Sequence, residues 1–373
     1  MVYNNSVVSK LRLNNFRNFK AKHLEFSPKT TVIVGPNTSG KTNIFEAIFL
    51  LATGKSFKAQ IEEEMISYGQ EIARVSGDFF KPKQKLEVVL TRGEITVGQD
   101  PEKTERVPRK RLMLNGIAKR LIDFAGNFKA VLFGPWDLEL VTESPSVRRK
   151  FLDTVLAQVD REYRRASLSY EKGLRQRNRI LWKLREESPP GQRPIRAGGQ
   201  LLFWDRLLIK NGDYISQMRE EFINFANDTG KLNDQDFSLD YDKSAISETR
   251  LEQYAEEEVA AATTLVGPHR DDMIFKIQNP NSKIQKRREL ARYGSRGEQR
   301  MGVLWLKLNE LAYVERKTEE RPTLLLDDIF SELDHEHREV VMGTIGSQQT
   351  IITTADPHYV EGLKKVEKIE LKG

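Results

Sequence analysis

The sequence predicts an α/β head assembled from both ends of the chain, interrupted by a mainly helical insertion. Three observations carry this. A β-branched run, Thr30–Val34, stops at a glycine-rich turn and leads into an apolar helical segment, Thr42–Leu51. Two further buried-type strands, Thr323–Leu326 and Thr350–Thr354, lie near the other end. Between them, helix-spaced apolar residues recur for about a hundred positions.

Each element follows in order. Val7–Phe16 alternates apolar and polar residues, as a half-buried strand does, and His23–Phe26 leads to a turn at Ser27-Pro28. Short strands are expected at 73–80, 86–91, 94–97 and 112–114, with a charged hairpin tip over 100–111. From Ser146 the period changes: Phe151, Leu152, Val155, Leu156 and Val159 share one helical face. Residues 188–199 (SPPGQRPIRAGG) read as a linker, 201–227 as a second helical run, and 304–311 as a helix. The expected division is a head of residues 1–145 and 246–373, with an insertion of 146–245.

Composition narrows the function classes. Apolar residues make up 38% of the 373 and charged residues 31%, too polar for a membrane protein yet apolar enough to bury cores. The apolar stretch 44–52 is about half a bilayer span and carries Glu46. No signal-like opening precedes it, and the absence of cysteine removes disulfides, thiolate metal sites and a cysteine nucleophile. A cytoplasmic protein, away from any membrane, is expected. The net charge of +6 is unevenly placed: residues 148–185 hold twelve Lys/Arg against four acids. A second basic group is Lys283, Lys286, Arg287, Arg288 and Arg292. Solvated helix faces compete with nucleic-acid contact as explanations of both.

Residues 35–42 read Gly35-Pro36-Asn37-Thr38-Ser39-Gly40-Lys41-Thr42, a complete GxxxxGK[ST]. Glycines let the backbone approach phosphates and turn its N–H groups inward, and the following helix start adds positive potential. Lys41 is expected to reach the β- and γ-phosphates and the Thr42 hydroxyl to ligate Mg²⁺. Pro322–Asp328 is an apolar strand ending in two carboxylates. Asp327 is expected to hold Mg²⁺ and Asp328 to polarise an attacking water, with Lys41, Asp327 and Asp328 forming the catalytic set. Gly294-Ser295-Arg296-Gly297-Glu298-Gln299 opens a helix. Ser295, Gly297, Glu298 and Gln299 read either as a second anion-binding helix start or as a capping box, and the two are compatible.

This last motif resembles the signature of ABC-type ATPases, and Ser331-Glu332-Leu333-Asp334 resembles their D-loop. One P-loop and one signature per chain then imply a second copy: a symmetric homodimer closed by ATP. The opening Leu11–Phe19 (LRLNNFRNF) resembles the first strand of SMC-like DNA-repair heads, most closely the RecF family. The likeness continues through Phe45–Ile48, Gly54–Phe57, Val131–Phe133, Asp137–Val141, Ser144-Pro145, Arg148-Arg149, Gln176–Asn178, Trp204-Asp205 and Gly267–Asp272. It therefore spans nearly the whole chain.

The resemblance implies an ABC/SMC-type head using ATP and Mg²⁺. It implies binding of duplex DNA and single-strand/double-strand junctions in the ATP-closed dimer, and support of recombinational repair of gaps and stalled forks. It also implies slow hydrolysis that reopens the clamp, the mediators RecR and RecO as partners, and a nucleoid-associated location. Departures from the pattern are Arg296 within the signature, Gly134 and Trp136 before Asp137, and no histidine closing the 351–356 strand. His269-Arg270 match a family block, for which a structural turn is expected. No base-reading motif is found, so DNA contact should be led by shape and phosphates, with Lys55, Arg148, Arg149, Arg175 and Arg177 as candidates. Two rival readings are a P-loop ATPase coupled to a nuclease, which lacks a further acidic cluster, and an ABC-type ATPase subunit with a protein partner.

Overall fold

The apolar helix that follows the glycine-rich turn organises the first part of the molecule. In the computed structural model, which describes residues 4–5, 7–80, 83–97, 103–187, 199–229, 231–278, 287–331, 333–360, 362–363 and 366–372, this helix spans Lys41–Thr53. Ile44, Phe45, Ala47, Ile48, Leu50, Leu51 and Ala52 are fully buried around its whole circumference. A helix apolar on every side must be enclosed on every side. Here it packs on a five-stranded parallel sheet and on a six-stranded antiparallel one. Each large aliphatic or aromatic side chain buried there stabilises by about 1.5–3 kcal/mol.

The parallel sheet has the order Ala130–Phe133, Thr323–Asp327, Thr350–Thr354, Thr30–Val34, Val366–Glu370. Its central strands read as unbroken apolar or β-branched runs because both faces are covered. The antiparallel sheet runs Ile117–Lys119, Lys110–Leu114, Lys83–Thr91, Ile72–Phe80, Val8–Phe16, Phe19–Glu25. Glu46, in the middle of the enclosed helix, is fully buried and takes two hydrogen bonds from the Arg17 guanidinium, at 2.7 and 2.6 Å. The Ser56 hydroxyl adds a third at 2.5 Å, so the buried charge is paired and saturated.

Two compact units result: residues 1–137 with 310–373, and residues 138–309. The first expected boundary, at 145/146, lies eight residues from the observed one. The second, at 245/246, does not coincide with a boundary, because residues 236–242 of strand Gln235–Asp242 pair with the full length of Asp272–Gln278. Residues 246–309 therefore belong to the second unit, which carries a four-stranded antiparallel sheet beside its helices. Those helices include Pro145–Val159, Arg161–Glu187 and Leu202–Thr229, the last two forming a long hairpin. The helical stretch expected from 146 to 184 breaks at Asp160, whose carboxylate accepts the Glu162 N–H at 2.8 Å and the Tyr214 hydroxyl at 2.5 Å. Asp160 thus caps the second helix.

At the centre of this unit Arg219 is buried. It donates to Asp153 at 2.8 Å, to Asp271 at 3.1 Å and to the Pro268 carbonyl at 2.7 Å. Tyr241 donates to Asp271 and Tyr163 to Asp153, both at 2.5 Å. Pro268–Arg270 is indeed a single helical turn, as expected of the 267–272 block. The expected linker at 188–198, Lys283, Lys286, Glu332 and residues 100–102 of the hairpin tip lie outside the described residues. Among the described residues no helix is long and apolar enough to cross a membrane.

Candidate functional site

Strand Thr30–Val34 delivers the chain to Gly35, and residues 35–40 turn it back into the enclosed helix. Gly40 occupies the N-cap position with φ +95, and a Cβ there would lie 2.5 Å from the Phe19 ring and 2.7 Å from the Asn18 amide. Only glycine meets both conditions. Thr38 is also left-handed, with φ +73. No side chain caps this helix and its first turn holds no acid, so its leading N–H groups are left for something else. Lys41 is buried and donates to the Gly35 carbonyl at 2.7 Å and the Pro36 carbonyl at 3.0 Å. The Ser39 hydroxyl is buried without a hydrogen-bond partner among the described residues. A curled loop, an uncapped helix start and an orphaned hydroxyl together suit a polyphosphate.

Strand Thr323–Asp327 lies one strand away, across Thr350–Thr354, and all three are parallel. Its C-terminal end thus falls on the same sheet edge as the loop, the edge where open α/β sheets take ligands. The Asp327 carboxylate accepts the Thr353 hydroxyl at 2.5 Å and is also hydrogen-bonded by Thr42. Burial raises its pKa, against those two hydrogen bonds and the nearby Lys41 ammonium, which lower it, while the Asp328 charge raises it further. A buried carboxylate beside a threonine hydroxyl is a hard-oxygen set with the chemistry to help hold Mg²⁺. Asp328 sits at φ +48, a left-handed strain for a non-glycine residue. Its N–H holds that conformation by donating to the carbonyl and hydroxyl of Thr353, both at 3.1 Å.

Sequence reasoning left the opening block without a role, and the structure supplies one. Arg17 grips Glu46 on the loop's helix, while Asn18 and Phe19 back Gly40, and Asn43 on that helix donates to Asn18 at 2.9 Å. Gly134 and Trp136 also explain each other: a Cβ at Gly134 would lie 2.5 Å from the Trp136 ring, which stacks on Phe57 at 4.9 Å.

The Ser295 segment forms a reciprocal capping box in the second unit. Glu298 accepts the Ser295 N–H at 2.7 Å, and the Ser295 hydroxyl accepts the Glu298 N–H at 3.2 Å. The Gln299 amide donates to carbonyls of the preceding turn, 3.3 Å to Leu290. Ser295, Arg296 and Gly297 are exposed.

The candidate DNA contacts divide. Arg148 is buried, its guanidinium spent on both Asp272 oxygens at 2.6 and 2.9 Å and on the carbonyls of Leu140 and Glu143. Arg177 is buried between Asp205, Glu258 and Thr264. Neither can reach a phosphate, and both are withdrawn as DNA contacts. Arg149 is partly buried and donates to the Asp271 carbonyl at 2.7 Å. Lys55 and Arg175 are exposed. Arg175 belongs to a row that the charge count over 148–185 includes but does not separate: Lys172, Arg175, Arg179 and Lys183, spaced three or four apart on one exposed helix face. None of the four has an ion-pair partner among the described residues. In the hairpin tip, by contrast, Arg106, Arg109 and Lys110 pair with Glu94, Glu63 and Glu62.

A family profile described as RecF/RecN/SMC N-terminal domain matches residues 7–372. The DNA replication and repair protein RecF of Herpetosiphon aurantiacus is 34% identical over 94% of this chain and 93% of its own. The chain belongs to the RecF family. The RecF of Thermomicrobium roseum is 35% identical, with 95% of each chain covered. Among solved structures, the recombination mediator RecF with ATPγS aligns at TM-score 0.82 and 29% identity, covering 98% of this chain and 97% of that one. An SMC head from Pyrococcus furiosus, at TM-score 0.51 and 16% identity, shares the fold. The expected ABC/SMC-type head is thereby established for the chain.

Proposed function

We propose that the chain is an ATP-dependent DNA clamp of recombinational repair. Its heads would pair when ATP is bound and hold duplex DNA or a single-strand/double-strand junction, and slow hydrolysis would release them. The observation that carries this is the loop 35–42 and the carboxylates 327–328 converging on one sheet edge, in a chain of the RecF family. The RecF relatives' names supply the repair context, and the solved RecF structures with ATP and ATPγS support the nucleotide.

Gly35, Pro36, Asn37, Thr38, Ser39 and Gly40 would cradle the phosphates through backbone N–H groups and the orphaned Ser39 hydroxyl. Lys41 would exchange two backbone carbonyls for phosphate oxygens, a stronger, charge-assisted pairing. Thr42 and Asp327 would hold Mg²⁺, which when bound neutralises phosphate charge. Asp328, held in a fixed strained conformation, would orient a water and take its proton. Ser295, Gly297 and Gln299 would complete the site in trans, from a second copy, once Glu298 releases the Ser295 N–H. Lys172, Arg175, Arg179 and Lys183 span about 16 Å of helix and would follow a phosphate backbone, with Lys55 as a further contact. The RecFOR pathway named for the solved RecF structures makes RecR and RecO the mediators to test as partners.

Light scattering with Mg²⁺-ATP tests the reading in wild type, Lys41→Met and Asp328→Asn, each with and without duplex DNA. The expected result is a dimer that needs ATP, persists in Asp328→Asn and is absent in Lys41→Met. DNA retention should need ATP and fall steeply with salt, and equal retention without nucleotide would remove the clamp.

A further inference from the structure

The second unit holds a cleft that the nucleotide and DNA reading does not use. It has a volume of about 560 Å³ and lies between the long hairpin, Arg161–Glu187 with Leu202–Thr229, and the short helices Glu248–Gln253 and Ala255–Ala261. Leu181, Ile209 and Leu251 give it an apolar floor, and Leu202 at its mouth is 43% exposed. Six carboxylates and two arginines line it, in a chain whose overall charge is positive. One of those arginines, Arg177, is already consumed by Asp205 and Glu258.

Glu248 and Glu252 are exposed, lie one turn apart on the same helix, and have no ion-pair partner among the described residues. Like charges at this spacing destabilise a helix by a few tenths of a kcal/mol. An opposite charge arriving from outside would relieve that repulsion. The apolar floor selects against a bare metal ion, and the negative rim selects against nucleic acid and anionic lipid.

We infer that this acid-rimmed, apolar-floored cleft docks a basic segment of a partner protein, one or two aliphatic anchors flanked by Lys or Arg. The helix 161–187 then serves two ligands from opposite faces. Arg177 and Leu181 face the cleft, while Arg175 and Arg179, about 160° away around the helix, belong to the exposed basic row. Partner and DNA can be held together, and the partner's charge does not compete with the row for phosphates.

The test uses the full chain and a dye-labelled ten-residue peptide of two leucines among lysines, read by fluorescence anisotropy. Saturable binding is expected, weakened at least about tenfold by Leu→Ser in the peptide, and by Glu248→Lys with Glu252→Lys in the protein. Arg175→Gln with Arg179→Gln, on the opposite helix face, should leave peptide affinity unchanged. The protein with both glutamate substitutions should keep its melting temperature, its ATP-dependent dimer and its DNA retention, which separates failure of this inference from failure of the clamp. No saturable binding, equal binding of the serine peptide, or weaker binding by the Arg175→Gln/Arg179→Gln protein would overturn it. So would a wild-type dimer without ATP that the two glutamate substitutions dissolve, since a second copy would then be the occupant.

Discussion

Two helix starts in this chain suit an anion, and they are prepared in opposite ways. At Lys41–Thr53 the N-cap is a left-handed glycine without a side-chain cap, the first turn has no acid, and a buried serine hydroxyl stands unpaired. At the start of Arg296–Thr318 the corresponding groups are closed on themselves, Ser295 and Glu298 each satisfying the other's N–H. The first is organised ahead of its ligand. The second must give up a capping box, worth about 1 kcal/mol, and move a carboxylate before its serine can serve a phosphate. ATP should therefore load onto one head readily, and closure of two heads should be the uphill step.

The largest effect that could break this contrast is at Lys41. Lys41→Ala should cost about a hundredfold or more in ATP hydrolysis and remove binding of a fluorescent ATP analogue by isolated chains. Ser295→Ala should leave that binding unchanged and reduce only ATP-dependent dimerisation. If both substitutions weaken binding by the monomer alike, the contrast is wrong.

Next in size, Asp328→Asn should slow single-turnover hydrolysis by about 10²–10⁴ while lengthening the life of the ATP dimer, followed by light scattering after dilution. A third substitution sharpens the contrast directly. Glu298→Ala should lower thermal stability by about 1 kcal/mol, yet favour dimerisation with ATP several-fold, because the capping carboxylate no longer occupies the Ser295 N–H or repels the phosphate. Weaker dimerisation would mean that Glu298 contributes to closure.

A pH series addresses the second unit's interior. Burial holds His269 down at about 4, from 6.5. Its ring accepts the Tyr170 hydroxyl at 2.8 Å and donates to the Thr264 carbonyl at 3.0 Å. Because the folded pKa is depressed, the unfolded chain binds more protons between the two values. The contribution is then complete above pH 6.5 and is lost as pH falls toward 4, on the order of 3 kcal/mol at most. His269→Gln should flatten that part of the melting-temperature profile. The smallest effect is expected on the basic row: Arg175→Gln with Arg179→Gln should reduce the salt slope of DNA binding by about 0.9 per lost phosphate contact.

The phosphate loop and the Asp327-Asp328 pair were legible in the sequence because their residue types have few other uses at that spacing. Strand Thr30–Val34 and the enclosed helix were legible for a related reason, since burial on all sides leaves an unbroken apolar run. What stayed hidden was pairing. A count of charges over 148–185 cannot distinguish Arg177, enclosed by Asp205, Glu258 and Thr264, from Arg175 two positions earlier in solvent. Helical spacing held the missing signal: 172, 175, 179 and 183 fall on one face and 177 on the other. The second unit's boundary was hidden too, because the strand that completes its sheet, Asp272–Gln278, follows two short helices after its partner.

The parallel sheet also governs how the protein can be made. Strand Thr30–Val34, which carries the phosphate loop, is flanked on both sides by strands from the far end of the chain, Thr350–Thr354 and Val366–Glu370. During synthesis its edges stay unpaired until those strands leave the ribosome, roughly 20–70 s later at ordinary elongation rates. For that interval the cell holds a β-branched, aggregation-prone segment and a loop that has no sheet behind it. The proposed nucleotide site is thus completed last in the nascent chain, and a chain cut short after Thr354 would leave one edge of that strand open.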